Sequence, residues 1–124
     1  MAPAHAAGGK LVFVASHGGT IVGTAQLDLD PTPSKRHHAG VSEVLVDPRF
    51  RRAGAARALM AEIERRALAD GRWLVTLDTA GEAAEALHRS LGYALAGEIP
   101  CHARNAFADC YEATRIMYKD LRAG

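Results

Sequence analysis

The amino-acid sequence predicts an α/β fold of the α+β type, with a mixed central sheet of about six strands and two main helices in the order β-β-β-α-β-α-β-β. Three observations predict this fold. Short apolar runs rich in β-branched residues recur along the chain. Two stretches rich in Ala lie between these runs, and the apolar residues of each stretch recur at the spacing of a helix. A glycine, Gly71 or Gly92, follows each helical stretch at the place where a helix is expected to end.

The chain starts with a predicted lead-in and a hairpin. Residues 1–9 are mostly small, so we expect a flexible lead-in, either disordered or extended, to a single domain over residues 10–124. Leu11–Ser16 and Thr20–Leu29 have the composition of strands, and two glycines between them suit a tight turn. These two strands are expected to form an antiparallel hairpin.

A strand, a long helix and a further strand follow the hairpin. Val41–Val46 is the third predicted strand, and a helix is predicted from about Gly54 to Asp70. Its spacing predicts one buried apolar face, formed by Ala56, Leu59, Met60, Ile63 and Ala67. Trp73–Leu77 is an apolar strand, and it is expected to run parallel to Val41–Val46 because a helix connects the two.

The C-terminal part contains a shorter helix and two strands. The helix is predicted from about Glu82 to Leu91 and is expected to bury Ala83, Leu87 and Leu91. The remaining elements are a strand at Tyr93–Ile99 that ends at Pro100, a loop at 101–112 and a last strand at Ala113–Leu121.

Composition narrows the classes of partner. A net charge of +1 gives no broad basic surface, so neither nucleic acid nor a membrane is expected as a partner. The sequence has no apolar run of the roughly 18 residues that cross a membrane and no secretory signal, which favours a cytoplasmic location. Cys101 and Cys110 are expected to be free thiols. The histidines lack metal-ligand spacing, so no metal is expected.

The connection between Val46 and the long helix has the properties of a phosphate-binding loop. A helix N-terminus presents unpaired backbone N–H groups and the positive end of the helix dipole. Small residues would let an anion approach those groups, and arginines would add positive charge. The small residues are Ala53, Gly54, Ala55 and Ala56, and the arginines are Arg51, Arg52 and Arg57. A pyrophosphate is the expected ligand.

The loop does not follow either of two common phosphate-binding patterns, the Walker A loop or the glycine pattern of dinucleotide-binding folds. It resembles the acyl-CoA-binding motif of the GNAT superfamily of N-acyltransferases. In that motif Gln or Arg is followed three positions later by Gly, and two positions after that by Gly or Ala. Arg51, Gly54 and Ala56 match these three positions.

A second segment extends the resemblance, which covers about residues 10–121. Residues 78–93, DTAGEAAEALHRSLGY, are similar to the family's NxxAxxxYxxxGF helix. A narrower resemblance is to acetyltransferases similar to the tabtoxin resistance protein. It rests on the segments LDT at 77–79, GEIP at 97–100 and IMYK at 116–119. The strand and two helices that usually precede the family's hairpin have no counterpart in the sequence.

The resemblance implies an N-acetyltransferase that moves an acetyl group from acetyl-CoA to an amine, by direct attack in a ternary complex. Backbone amides from Arg52 to Arg57 would then bind the pyrophosphate of acetyl-CoA. The backbone of Val44, Leu45 and Val46 would hold the pantetheine arm and polarise the thioester carbonyl, while their side chains pack in the core. The amine acceptor is a small molecule or a peptide, and its identity stays open.

The implied reaction needs one residue to protonate the departing thiolate and another to deprotonate the amine. Many relatives use a Tyr on the second helix to protonate the departing thiolate, and His88 occupies its place, so the resemblance assigns His88 that role. The family's fourth-strand Glu falls on Gly40, which leaves Glu43 on the same strand, or a water relay, to deprotonate the amine. The other candidate bases are His37, His38, Asp78, Asp109 and Glu112, and the other candidate donors are Tyr93, Tyr111 and Tyr118.

The departures from the family pattern lead to two further expectations. With nothing before it, Leu11–Ser16 would be an apolar edge strand, so we expect the chain either to form a homodimer or to be the C-terminal part of a longer polypeptide. The alternative function is a non-catalytic acyl-CoA-binding module or a degenerate GNAT partner subunit, because Gly40 and His88 replace expected catalytic residues. Thiol release in the presence of amines would exclude that alternative.

Overall fold

The computed structural model describes residues 2–7, 9–50, 54–79, 81–105 and 107–123. Seven strands and two main helices are present in this part of the chain. The strands are β1 (Ala2–Ala7), β2 (Lys10–His17), β3 (Thr20–Leu29), β4 (His38–Val46), β5 (Leu74–Thr79), β6 (Ala94–Arg104) and β7 (Tyr111–Asp120). The helices are α1 (Ala55–Ala69) and α2 (Glu82–Ser90), with short 3-10 helices at Pro33–Lys35, Pro48–Phe50 and Leu121–Ala123.

The mixed α+β class and the predicted element order are confirmed. From β2 onwards the elements follow the order β-β-β-α-β-α-β-β, and β1 adds a seventh strand in front of them. The chain forms two compact units, one of Met1–Val75 with Asp120–Gly124 and one of Thr76–Lys119. Within the described residues, no helix has the length and apolar character required to cross a membrane.

The first unit begins with four antiparallel strands in the order β1-β2-β3-β4. Of the two forms expected for the lead-in, the structure has the extended one at Ala2–Ala7, which pairs with β2 as a strand. Leu11–Ser16 is therefore not an edge strand, since β1 satisfies its outer hydrogen-bonding groups. An open edge at Leu11–Ser16 is therefore no longer a reason to expect a homodimer, and the oligomeric state stays a prediction.

Helix α1 packs its apolar face in the core of the first unit, as its spacing predicted. The fully buried side chains of that face are Leu59, Met60, Ile63 and Ala67. A glycine on β3 makes this packing close: a Cβ at Gly23 would lie 3.2 Å from Leu59 Cδ1 and 3.3 Å from the Leu45 carbonyl oxygen. A side chain at Gly23 would require Leu59 or the Leu45 backbone to shift by a few tenths of an ångström.

The second unit contains most of β5, helix α2 and the antiparallel strands β6 and β7, with strand order β5-β7-β6. Two predictions are wrong here. β6 does not end at Pro100 but runs to Arg104, and Pro100 is tolerated because β6 is an edge strand whose register shifts between Ile99 and Ala103. The second wrong prediction concerns the buried face of α2. The buried residue of this helix is His88, whereas Ala83 is exposed and Leu87 and Leu91 are half-buried.

Candidate functional site

The predicted phosphate-binding position lies at the N-terminus of α1. Its N-cap, Gly54, has a left-handed φ of 84°, and a Cβ built on it would meet no atom of the described residues within 4 Å, its chain neighbours aside. The Ala58 N–H donates to the Gly54 carbonyl oxygen at 2.9 Å, so the backbone N–H groups of Ala55, Ala56 and Arg57 precede the first hydrogen bond of the helix. The N-cap residue Gly54 makes no side-chain cap hydrogen bond, and the first turn of α1 contains no acidic residue.

A short turn anchored by Asp47 leads from β4 toward this helix start. The Asp47 N–H donates to the Val22 carbonyl oxygen at 2.8 Å, and the Asp47 carbonyl oxygen accepts from the Phe50 N–H at 2.8 Å. The Asp47 carboxylate accepts from the Arg49 N–H and guanidinium at 2.9 Å each, and these bonds lower the pKa of Asp47. The Phe50 ring packs against His17, with ring centroids 5.6 Å apart. The chain therefore enters the loop in a fixed direction.

The loop itself is only partly described. Arg51, Arg52 and Ala53 lie outside the described residues, so their predicted role in phosphate binding stays a prediction. Gly54, Ala55, Ala56 and Arg57 do lie together at the start of α1, with Gly54 and Arg57 exposed.

A β-bulge precedes the loop on β4. Gln26 of β3 pairs with Ser42, but Thr24 pairs with Leu45, so β4 has one more residue than β3 between these pairs. A bulge reverses the side-chain alternation after it. Leu45 is accordingly 64% exposed, which makes the prediction of core packing wrong for this side chain. Val44 and Val46 are half-buried.

The candidate bases named from the sequence are mostly engaged in local structure. The side chain of Glu43 is outside the described residues, although its backbone lies at the bulge. His37 packs against the Trp73 ring, with centroids 4.8 Å apart, and His38 Nδ1 lies 3.3 Å from Asp30 Oδ2. Asp109 forms an ion pair with Arg104, and the Glu112 carboxylate accepts a hydrogen bond from the Asn105 side chain. Asp78, the last candidate, is exposed.

His88 lies in the second unit, on α2, and is only 4% exposed. Burial lowers the pKa of its imidazole, because the charged form loses its water. Its ring meets the Tyr93 ring edge-on at 5.7 Å, and Nδ1 has no hydrogen-bond partner among the described residues. A buried polar atom without a partner in the resting protein is the kind of group that a bound substrate or water satisfies.

Two features of the site escaped the sequence-based predictions. The Asp47 turn has a local signal, because Asp before Pro is typical of a turn that the carboxylate stabilises. The bulge in β4 has none, because Glu43 and Val44 continue an ordinary strand pattern. Among the described residues, no group of three or more His, Cys, Asp or Glu side chains is placed to bind a metal ion.

Comparison with known proteins connects this geometry to a family. The family model of the acetyltransferase (GNAT) family matches residues 3–93. The chain is 30% identical to the ribosomal-protein-alanine N-acetyltransferase from Brucella melitensis, with a TM-score of 0.78, and the match covers 91% of this chain and 70% of that one.

Two further solved structures share the fold at lower identity. The ribosomal-protein-S18-alanine N-acetyltransferase from Escherichia coli has 23% identity and a TM-score of 0.80, and the match covers 94% of this chain and 72% of that one. The structure of yncA from Salmonella typhimurium with its cofactor acetyl-CoA has 22% identity and a TM-score of 0.79, with 91% and 65% covered.

Proposed function

Because the chain belongs to the acetyltransferase (GNAT) family, we propose that it transfers an acetyl group from acetyl-CoA to a primary amine. The observation that supports this reaction best is the start of α1. Its first turn has no acidic residue, its N-cap Gly54 makes no side-chain cap hydrogen bond, and a Cβ at Gly54 would meet no atom of the described residues within 4 Å, its chain neighbours aside. A pyrophosphate fits such a helix start because the backbone N–H groups and the helix dipole both favour negative charge.

The bulged strand supplies the second part of the proposal. Pantetheine contains amide groups that pair with the edge of a strand as a peptide does. We assign the backbone of Val44, Leu45 and Val46 to this arm, because the bulge of β4 lies between Ser42 and Leu45 and redirects the strand at this point. Their N–H groups then polarise the thioester carbonyl.

The proposed reaction is a direct transfer. The amine nitrogen attacks the thioester carbon, a C–N bond forms, and the C–S bond breaks with its electron pair leaving on the CoA sulfur. An ammonium loses one proton before attack and a second one as the C–N bond forms, and the thiolate gains one. Burial lowers the pKa of the His88 imidazole, which favours its neutral form. We assign Glu43 or a water relay to take the first proton to solvent, and His88 to pass the second proton to the departing thiolate.

The names of similar proteins suggest which amine acceptors to assay first. The Brucella melitensis protein is named for the alanine of a ribosomal protein. We propose to include a peptide with an N-terminal alanine in the first acceptor panel, beside small primary amines and a lysine-containing peptide.

The direct test is thiol release from acetyl-CoA, followed with a thiol reagent for each acceptor, together with calorimetric titration of acetyl-CoA alone. We expect binding that weakens as salt increases and thiol release that depends on the amine. Binding without release for every acceptor class would instead support a non-catalytic acyl-CoA-binding module. Absence of binding would overturn the proposal.

A further inference from the structure

Helix α2 ends in a Schellman motif that includes His88. The Tyr93 N–H donates to the His88 carbonyl oxygen at 3.0 Å, and the Gly92 N–H donates to the Arg89 carbonyl oxygen at 3.0 Å. These two bonds define the motif, and Gly92 has the positive φ that it requires, 96°. The motif therefore ties the backbone of His88 to that of Tyr93.

The same motif brings the side chains of His88 and Tyr93 together. Both are buried, with 4% and 3% of their surface exposed, and their rings meet edge-on with centroids 5.7 Å apart. A side-chain contact between these two positions frequently accompanies a Schellman motif. Since His88 Nδ1 has no hydrogen-bond partner among the described residues, no bond at this atom fixes the direction of the imidazole. Its orientation therefore depends on the end of α2 and on the Tyr93 ring.

Lys119 of β7 contacts this end of α2 at three points. Its Nζ donates to the carbonyl oxygen of the C-cap residue Leu91 at 2.8 Å, and a C-cap carbonyl receives no bond from the helix itself. Nζ also lies 5.7 Å from the centroid of the Tyr93 ring, within the range of a cation–π contact. The lysine stem crosses Gly92, where a Cβ would lie 3.3 Å from Lys119 Cε. One half-buried side chain thus holds both the helix end and the ring that packs on His88.

The end of α1 shows that such a motif does not itself need a lysine. There the Arg72 N–H donates to the Ala67 carbonyl oxygen at 2.8 Å and the Gly71 N–H donates to the Leu68 carbonyl oxygen at 2.9 Å, which is the same pair of bonds. Gly71 has a φ of 76°, but a Cβ on it would meet no atom of the described residues within 4 Å, its chain neighbours aside. The contacts of Lys119 therefore add to what a helix end of this kind requires.

We propose that Lys119 is a positioning residue for His88. It holds the end of α2 and the Tyr93 ring, so that the imidazole keeps the direction that proton transfer needs. Lys119 acts through Leu91 and Tyr93, and all of these residues belong to the second unit. The inference rests on the proposed function, because that function assigns the proton transfer to His88.

The first test is the NMR signal of the His88 Cε1–Hε1 group in the full chain at about pH 8.5, where an ordinary imidazole is neutral. The signal is assigned by its absence in His88→Phe, and its chemical shift reports the ring geometry because the Tyr93 ring current acts on it. Lys119→Met removes the donor and the charge and should move the signal. Lys119→Arg keeps both and should leave the signal near its wild-type position. Lys35→Met, at an exposed lysine of the first unit, should leave it unchanged.

The second test is kinetic and uses the best acceptor found by thiol release. We expect Lys119→Met to lower kcat about tenfold and to change the KM for acetyl-CoA less than about twofold, because a misplaced catalytic group slows transfer without removing a binding contact. Lys119→Arg should retain most of kcat, and Lys35→Met should retain all of it. A lower kcat with an unmoved His88 signal would overturn the inference, and so would a moved signal with unchanged kcat.

Two glycines provide a matched pair of variants. Gly92→Ala places a Cβ 3.3 Å from Lys119 Cε, whereas Gly71→Ala strains the same motif where the Cβ meets nothing. Both should lower the melting temperature by similar amounts, but only Gly92→Ala should move the His88 signal and lower kcat. Equal effects of both variants on His88 would overturn the inference, because lost stability alone would then explain them. If the wild type releases no thiol with any acceptor, the proposed function fails, and the NMR signals still decide whether Lys119 holds His88.

Discussion

The two helices of this chain begin alike in backbone and unlike in charge. Each starts after a glycine N-cap with positive φ, Gly54 at 84° and Gly81 at 96°, and neither has a capping side chain. The first turn of α2 contains Glu82 and Glu85, which complement the positive end of its dipole. The first turn of α1 contains no acidic residue, and Arg57 adds positive charge there.

The difference shows what a helix start needs for stability and what it needs for binding. An acidic residue in the first turn stabilises a helix by about 0.3–1 kcal/mol. The first turn of α1 lacks this contribution, and in the proposed function the phosphates of acetyl-CoA supply the negative charge instead. The first turn of α2 supplies its own negative charge, and the proposed catalytic residue of this helix, the buried His88, lies in its C-terminal half.

The largest expected effect comes from closing the start of α1. Gly54→Val places a branched side chain in the open space beside the first turn and strains a left-handed backbone. We expect acetyl-CoA affinity to fall by roughly 100-fold or more, measured by calorimetry.

The matched control is at the other end of the same helix. Gly71 has a φ of 76°, and a Cβ there also meets nothing within 4 Å. Gly71→Val should destabilise the fold as much as Gly54→Val does, but acetyl-CoA affinity should be retained. Equal loss of affinity in both variants would mean that backbone strain, and not the position of Gly54, causes the effect.

The next effect tests α2. His88→Phe keeps an aromatic ring in a buried position but cannot carry a proton. We expect kcat to fall roughly 100-fold with little change in acetyl-CoA affinity, because the side chain acts after binding. His88→Tyr, which restores the residue that the family pattern has at this place, should recover part of kcat. Unchanged kcat in the Phe variant would return His88 to a purely structural role.

A smaller effect comes from giving α1 the first turn of α2. Ala56→Glu should stabilise the fold by about 0.3–1 kcal/mol because it complements the helix dipole. The same carboxylate should weaken acetyl-CoA binding about tenfold or more, since it repels the phosphates. Ala56→Gln has the same shape without the charge and should show neither effect fully. An increase of affinity in the Glu variant would contradict anion binding at α1.

Most of the fold could be predicted because local patterns and tertiary packing agree. Helix α1 is long, its apolar face repeats over four turns, and Gly71 ends it, so the predicted and observed helices differ by about one residue at each end. The strand β1 at residues 2–7 was not predicted, because alanines favour no strand by themselves. This strand forms through its pairing with β2. Helix α2 is only nine residues long with alanines on several faces, so its buried face could not be assigned from spacing.

The candidate site was predictable only where residue type decides the chemistry. Gly54 and the small first turn of α1 could be identified because a glycine before a helix allows a close approach to the backbone that a side chain would prevent. The bulge on β4 depends on how Gln26 and Thr24 pair with the neighbouring strand, and no residue within β4 specifies it. The unpartnered Nδ1 of His88 likewise follows from burial, which a sequence pattern does not contain.

The smallest predicted effect is the pH dependence that His88 gives to stability. Burial lowers the pKa of folded His88 below its ordinary value of 6.5, so the unfolded chain binds more protons as the pH falls from about 6.5. Stability from the neutral, buried imidazole is therefore complete above pH 6.5 and is progressively lost below it, down to the folded pKa. As the pH is lowered from 7.5 to 5, we expect the free energy of unfolding to fall more steeply for the wild type than for His88→Phe. Urea titration at each pH measures this free energy. The carboxylates and the other histidines are common to both proteins and cancel in the difference. Parallel profiles would show that His88 is protonated equally in both states, and the neutral imidazole assigned to proton transfer would then be wrong.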